Sequence, residues 1–296
     1  MMLEPLQYVL GALSGSLVGL TLGLFGGGGS ILAVPLMVYL VGVPDPHIAI
    51  GTSAFAVAAN AATSLVSHAR HGTVKWRCAA LYSGAGIVGA LAGSTLGKAV
   101  DGQKLLFLFA LLMLVIGAMM FRGRGDAGNP GAECSLEKSP KVLGFGALTG
   151  LFSGFFGIGG GFLIVPGLVA STGMPILNAI GSSLVAVTAF GLTTSFNYAL
   201  SGLVDWPLAL AFVAGGVLGG IGGERIARAL SIQKGMLNMA FAGLIFVVAI
   251  YMLWRSTGAG LHPSTETRLI QGHAVSAILG RWVGWLRAAS NLNGDW

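Results

Sequence analysis

The chain has 296 residues, of which 54% are hydrophobic and 9% charged; soluble domains carry about 25% charged residues. Its long apolar runs suffice to cross about 30 Å of hydrocarbon at roughly 20 residues per helix, which predicts an all-α polytopic membrane protein with little room for a soluble domain. The net charge of +6 then belongs to Lys and Arg in cytoplasmic loops, not to a nucleic-acid surface.

The first run, 5–25, is flanked by Glu4 and by no Lys or Arg, and no small-residue cleavage site leads into a polar chain. It reads as a span, not a cleaved signal. It meets a glycine break, Phe25-Gly26-Gly27-Gly28-Gly29-Ser30-Ile31-Leu32-Ala33-Val34-Pro35, followed by a short helix at about 30–43. As one helix, 5–43 would reach nearly 60 Å, so it folds back as a hairpin or crosses twice. Further spans are predicted at 48–67, 78–97 and 103–121. Residues 122–140 are polar and turn-rich and form a linker.

The second half follows the same plan. A helix at 141–156 meets Phe156-Gly157-Ile158-Gly159-Gly160-Gly161-Phe162-Leu163-Ile164-Val165-Pro166, with a short helix at 161–172. Spans are predicted at 178–200, 207–224 and 234–254. In the tail, 255–296, Val275, Ile278, Leu279, Trp282 and Leu286 fall at helical spacing, with Arg268, Gln271 and Arg281 off that stripe. It reads as an interfacial amphipathic helix or as a disordered tail.

Gly51–Trp76 overlays Gly181–Trp206 with ten identities in 26 positions, among them Gly51/Gly181, Ser53/Ser183, Thr63/Thr193, Gly72/Gly202 and Trp76/Trp206. The breaks match at a shift of 131. The chain therefore reads as two repeats, 1–121 and 141–254, each a glycine-broken helix pair plus three spans. Arg70, Lys75 and Arg77 follow the second element of repeat one, whereas the matching loop of repeat two carries Asp205 and no Lys or Arg. With each broken pair returning to its starting side, the positive loops 68–77, 122–141 and 225–234 all face the cytoplasm. Both termini then lie outside, in an inverted-topology repeat. Lys98 and Lys104 fall on the opposite side to this rule.

A duplicated break in apolar segments points to a transporter's binding site. A helix that starts inside the membrane presents free N–H groups and the positive end of its dipole, and glycines let an anion approach that backbone. Short helices beginning near Ser30 and Gly161 would aim two such ends at one anion near the midplane. The candidate site is therefore Gly26, Gly27, Gly28, Gly29 and Ser30 with Gly157, Gly159, Gly160 and Gly161. Hydroxyl and amide donors join them: Thr52, Ser53 and Asn60 from repeat one, Ser182, Ser183 and Asn197 from repeat two. Thr63, Thr193 and Thr194 are further hydroxyls in the spans. Any one of these hydroxyls is more often bonded to its own helix; the recurrence of Ser53 and Ser183 singles that pair out. Gly84, Gly86, Gly89, Gly93, Gly215, Gly219 and Gly223 read as packing positions.

Asp45, Asp101, Asp205 and Glu224 sit near span ends, unlike the intramembrane carboxylates of cation pumps. His47, His68 and His71 read as solvated loop residues, and Trp76 and Trp206 as interface anchors. Cys78 and Cys134 form no CxxC pair and predict neither a disulfide framework nor a metal site. There is no GxxxxGK[ST] motif, no cofactor signature and no nucleophile–base set in the spans.

The two glycine segments leading to Val34-Pro35 and Val165-Pro166, with Gly51-Thr52-Ser53 and Gly181-Ser182-Ser183 downstream, resemble the sulfite exporter TauE/SafE family over residues 5–254. Ser30 stands where the motif's last glycine is expected. The resemblance implies an inner-membrane carrier of sulfur-containing anions, sulfite and organosulfonates such as sulfoacetate, working in the export direction. The expectation is a multi-pass secondary transporter whose partners are a small anion and the bilayer. A homodimer is left open, and an anion channel with the same pore is the alternative.

Overall fold

In lipid every backbone group must be satisfied within the chain, so apolar runs become helices. The computed structural model describes residues 5–122, 139–159, 161–229, 243 and 245–255. Helix α1 (Pro5–Phe25) passes into a 3-10 helix (Gly26–Leu32), a short α-turn α2 (Ala33–Pro35) and a π-turn (Leu36–Leu40). Then come α3 (Pro46–Arg70), α4 (Trp76–Ala99), α5 (Gly102–Arg122), α6 (Ser139–Phe156), α7 (Gly161–Thr172), α8 (Ile176–Ala199) and α9 (Trp206–Ala229). A last apolar helix, α10, covers Ile245–Arg255. Among the described residues there is no strand, and five helices (α1, α3, α4, α8 and α9) are long and apolar enough to cross a membrane. This is an all-α, multi-pass membrane protein.

The aspartates at the span ends are N-caps, satisfying N–H groups that a helix start leaves open. The backbone N–H of His47 donates to Asp45 Oδ1 at 2.8 Å, that of Gln103 to Asp101 Oδ1 at 3.1 Å and that of Leu208 to Asp205 Oδ1 at 3.0 Å. Trp76 and Trp206, exposed at the first positions of α4 and α9, fit the anchor role.

Two parallel helix pairs flank the centre. Gly15 of α1 rests on the Phe212 carbonyl of α9, and Gly219 of α9 on that of Ser16. Shifted by 130 or 131 residues, Gly146 of α6 rests on Tyr82 of α4, and Gly89 of α4 on the Ala147 carbonyl. Bare glycine backbones allow this approach, as the sequence predicts for Gly86, Gly89, Gly93, Gly215, Gly219 and Gly223; beside Gly84 there is nothing within 4 Å. Outside the seams Val88 is 69% and Leu218 72% exposed, a surface suited to lipid tails. Between the flanks α3 and α8 run antiparallel, Gly51 against Leu203 and Gly181 against Thr73.

The stretch 5–43 is a hairpin: Gln7 Nε2 donates to the Val41 carbonyl at 3.2 Å, so the chain is back at its starting end by Val41. Two sequence expectations are corrected. Cys78, buried at the start of α4, is disulfide-bonded, because a disulfide depends on Cα proximity in the fold and not on sequence spacing; Cys134 lies outside the described residues. His47 is half-buried with Nδ1 out of water and unpaired among the described residues, its ring 6.3 Å from that of Tyr198. The described residues up to Leu253 form one unit; the centre of the linker, most of 230–244 and the tail beyond Arg255 lie outside the described residues.

Candidate functional site

The second break is a bend. Helix α6 ends at Phe156, and Gly157 and Gly159 take φ of +67° and +63°, the left-handed region where a Cβ is strained. Helix α7 then starts at Gly161, and Gly160 lies outside the described residues. Gly157 lies against Ile50 of α3. Gly159 sits between the two central helices: a Cβ there would lie 2.9 Å from Val57 Cγ1 of α3 and 3.2 Å from Val187 Cγ1 of α8. Val57 and Val187 are the same position of the duplicated block, which was the available but unused signal for both.

The first break differs. Gly26, Gly27, Gly28, Gly29 and Ser30 all fall in the 3-10 helix, and only Ala33–Pro35 is α-helical after it. The expected helix start near Ser30 is therefore corrected: a three-residue α-turn has no appreciable dipole end, and N–H groups on this side belong to 3-10 turns. Pro35, which cannot donate to the residue four back, precedes the π-turn; its counterpart Pro166 is accommodated inside α7. Gly29 closes the hairpin tip, its Cα facing the backbone of Thr21 and Leu22 where a side chain would not fit. Thr21 Oγ1 donates to the Gly29 carbonyl at 3.4 Å. The 3-10 helix packs against both α7 and α8, so the two broken segments meet.

The donors divide into three groups. Ser53 lies on the face of α3 between Ile50 and Val57, beside the second break, and donates to the Ile50 carbonyl at 3.1 Å; Ser183 donates likewise to Ile180 at 2.7 Å. Thr52 and Ser182 instead close the two ends of the α3–α8 pair. Thr52 Oγ1 accepts from the backbone N–H of Asp205 and Ser182 Oγ from that of Lys75, each at 2.9 Å. Thr63 and Thr193 bond their own helices, while the buried Thr194 hydroxyl has no partner among the described residues.

Asn197 is not brought to the breaks. It lies ten residues along α8 from Val187, about 15 Å away at 1.5 Å per residue. There its Nδ2 donates to Ser94 and Thr95 of α4, and Lys98 Nζ donates to its side-chain and backbone oxygens at 2.9 and 3.0 Å. Lys98 also donates to Ser201 Oγ at 2.9 Å. Its charge is thus held at the C-terminal end of α8. Asn60 is central and buried, with both amide atoms unpaired among the described residues.

This geometry, two glycine-broken hairpins meeting beside an antiparallel helix pair, coincides with a sequence match over residues 11–252 to the sulfite exporter TauE/SafE family. The chain belongs to that family. A probable membrane transporter protein of Xylella fastidiosa (strain 9a5c) is 54% identical over 246 residues, covering 82% of this chain and 94% of the relative. More distant relatives include the probable membrane transporter protein YunE of Bacillus subtilis (strain 168), 27% identical over 74% of this chain and 87% of its own length. The probable membrane transporter protein MJ0441 of Methanocaldococcus jannaschii is 27% identical over 86% and 96%. No solved structure matches the chain. Family and relatives agree on a membrane transporter.

Proposed function

We propose that this TauE/SafE chain is a non-enzymatic secondary transporter exporting a small sulfur oxyanion, sulfite or an organosulfonate, across the inner membrane. The observation that carries the reading is the meeting of the two breaks, with Gly159 between the equivalent valines Val57 and Val187. The N-terminus of α7 and the N–H groups of the 3-10 helix supply donors without a formal charge, and Ser53 and Ser183 add hydroxyls that can turn from their own carbonyls to the anion. The repeats have opposite topology, with loops 68–77, 122–141 and 225–234 cytoplasmic. The recurrence of the α1–α9 contacts in α6–α4 supports this arrangement.

The test is counterflow in liposomes: radiolabelled sulfite against unlabelled sulfite, sulfate, sulfoacetate or acetate. Saturable exchange with sulfite or sulfoacetate is expected. Gly159→Leu should abolish it and Gly159→Ala should slow it at least about tenfold, since a left-handed non-glycine residue costs on the order of 1–3 kcal/mol where two valines already crowd the backbone. Size-exclusion profiles matching the wild type would show that both variants fold. Full exchange by folded Gly159→Leu would remove the site from the breaks. Current across planar bilayers without exchange would make the protein a channel.

A further inference from the structure

Asn60, mid-way along α3, is 2% exposed. Its amide lies against the bare backbone of Gly216 on α9, and neither Oδ1 nor Nδ2 has a hydrogen-bond partner among the described residues. Buried amides are nearly always satisfied, because leaving one unpaired is costly.

The equivalent position 130 residues on is Phe190. Its ring fills the same place against Gly86 and stacks on Tyr82, with centroids 6.4 Å apart and planes 21° off parallel. Beside that ring the Tyr82 hydroxyl is satisfied, lying 2.7 Å from Thr149 Oγ1, although the Ser83 and Ser153 hydroxyls of the same helix pair have no partner among the described residues. On the Asn60 side the tyrosine is replaced by Phe212 and the threonine by Val18. One half of the molecule is thus closed by a ring, and the other holds an amide with its hydrogen-bonding capacity unspent. Asn60 is also one turn from Val57, the residue seated against Gly159.

We propose that Asn60 binds the transported oxyanion and selects its singly protonated form, a proposal that rests on the anion-site reading of the breaks. A primary amide offers one donor and one acceptor side by side. An oxyanion that keeps one proton matches both: its O⁻ accepts from Nδ2 and its O–H donates to Oδ1. A dianion has no donor for Oδ1 and sets negative charge against it. An alkylsulfonate also has no O–H. The substrate class narrows to hydrogen-oxyanions, with hydrogensulfite as the sulfur case, and the proton crosses on the substrate.

Nothing in the surrounding helices competes for that proton. Residues 48–67 of α3, 9–25 of α1, 105–121 of α5, 177–197 of α8, 206–223 of α9 and 26–38 of the returning hairpin arm contain no titratable side chain. The titratable groups on these elements sit at their ends, as with Tyr8, Tyr39, His47, His68, Lys104 and Tyr198.

The experiment is sulfite counterflow by the full chain in liposomes, over a pH range that spans the hydrogensulfite–sulfite equilibrium. Methanesulfonate serves as the competitor without an O–H. In the wild type, exchange should follow the hydrogensulfite fraction and methanesulfonate should compete poorly. Asn60→Leu, similar in size and with no polar group, should raise KM for sulfite about tenfold or more and flatten the pH profile. Its melting temperature should stay level or rise, because an unsatisfied buried amide has been removed; a merely structural asparagine would give a fall. An unchanged KM and pH profile in Asn60→Leu, or equal competition by methanesulfonate, overturns the proposal while leaving the anion site standing. A wild type that exchanges no sulfite at any pH removes the anion-site reading and this proposal together.

Discussion

Thr52 and Ser182 are equivalent residues of the duplicated block, and each spends its hydroxyl on the backbone of the other half of the chain, at Asp205 and Lys75. The acceptor stabilises the first residues of the next helix, since Asp205 and Lys75 are the N-cap positions of α9 and α4. Thr52→Val keeps the shape and leaves the Asp205 N–H unpaired, which should cost about 1–3 kcal/mol. Thr52→Ser, the residue already used at 182, should be close to neutral. Thermal unfolding in detergent separates them: a lower midpoint for the valine variant alone is expected, and equal midpoints would mean that water replaces the hydroxyl. Both residues look like binding hydroxyls in the sequence because they lie in the recurring Gly-[Thr/Ser]-Ser segment; only the fold shows that Thr52 and Ser182 bond the backbone of the other half of the chain while Ser53 lies beside a break.

At the scale of elements, helix positions were legible because each span is an uninterrupted apolar run closed by a capping aspartate, a proline or a glycine. The predicted 48–67 and 178–200 became Pro46–Arg70 and Ile176–Ala199. The hairpin was legible as two alternatives, and the Gln7–Val41 bond distinguishes them. The unequal breaks were not legible: two nearly identical glycine segments give a 3-10 helix in one copy and a left-handed bend in the other. The bend is packed by residues that its own segment does not reveal: Ile50 and Val57 of α3, more than a hundred residues away, and Val187 of α8, around Gly157 and Gly159. Asn60 against Phe190 was hidden for the same reason, since its meaning depends on comparing two slots built from four helices. Glycine roles also divide at this scale. Gly89→Ala would force a methyl onto the Ala147 carbonyl and should lower the melting temperature. Gly84→Ala meets nothing within 4 Å and gains up to about 1 kcal/mol of helix propensity. Opposite signs are expected on thermal unfolding; a fall in both would show that Gly84 also packs, against a partner or a second copy.

At the scale of the molecule, the Thr52–Asp205 and Ser182–Lys75 bonds tie opposite ends of the antiparallel α3–α8 pair. If one repeat rocks against the other to give alternating access, the two ends part in turn, and each bond is made in one state and stretched in the other. A single hydrogen bond contributes only about 0.5–1.5 kcal/mol net, small enough to break on every cycle and large enough to bias which end rests closed. Cysteine pairs at 52/205 and at 75/182, introduced with Cys78→Ser and Cys134→Ser, test this directly. Oxidising either pair alone should stop sulfite counterflow, and reductant should restore it, because holding one end shut halts the cycle whichever end is held. Exchange at the full rate with a pair quantitatively cross-linked would show that this bond does not part during transport. Inhibition by one pair only would then locate the moving gate at the other end of a fixed vestibule, a geometry closer to a gated channel than to a rocking carrier.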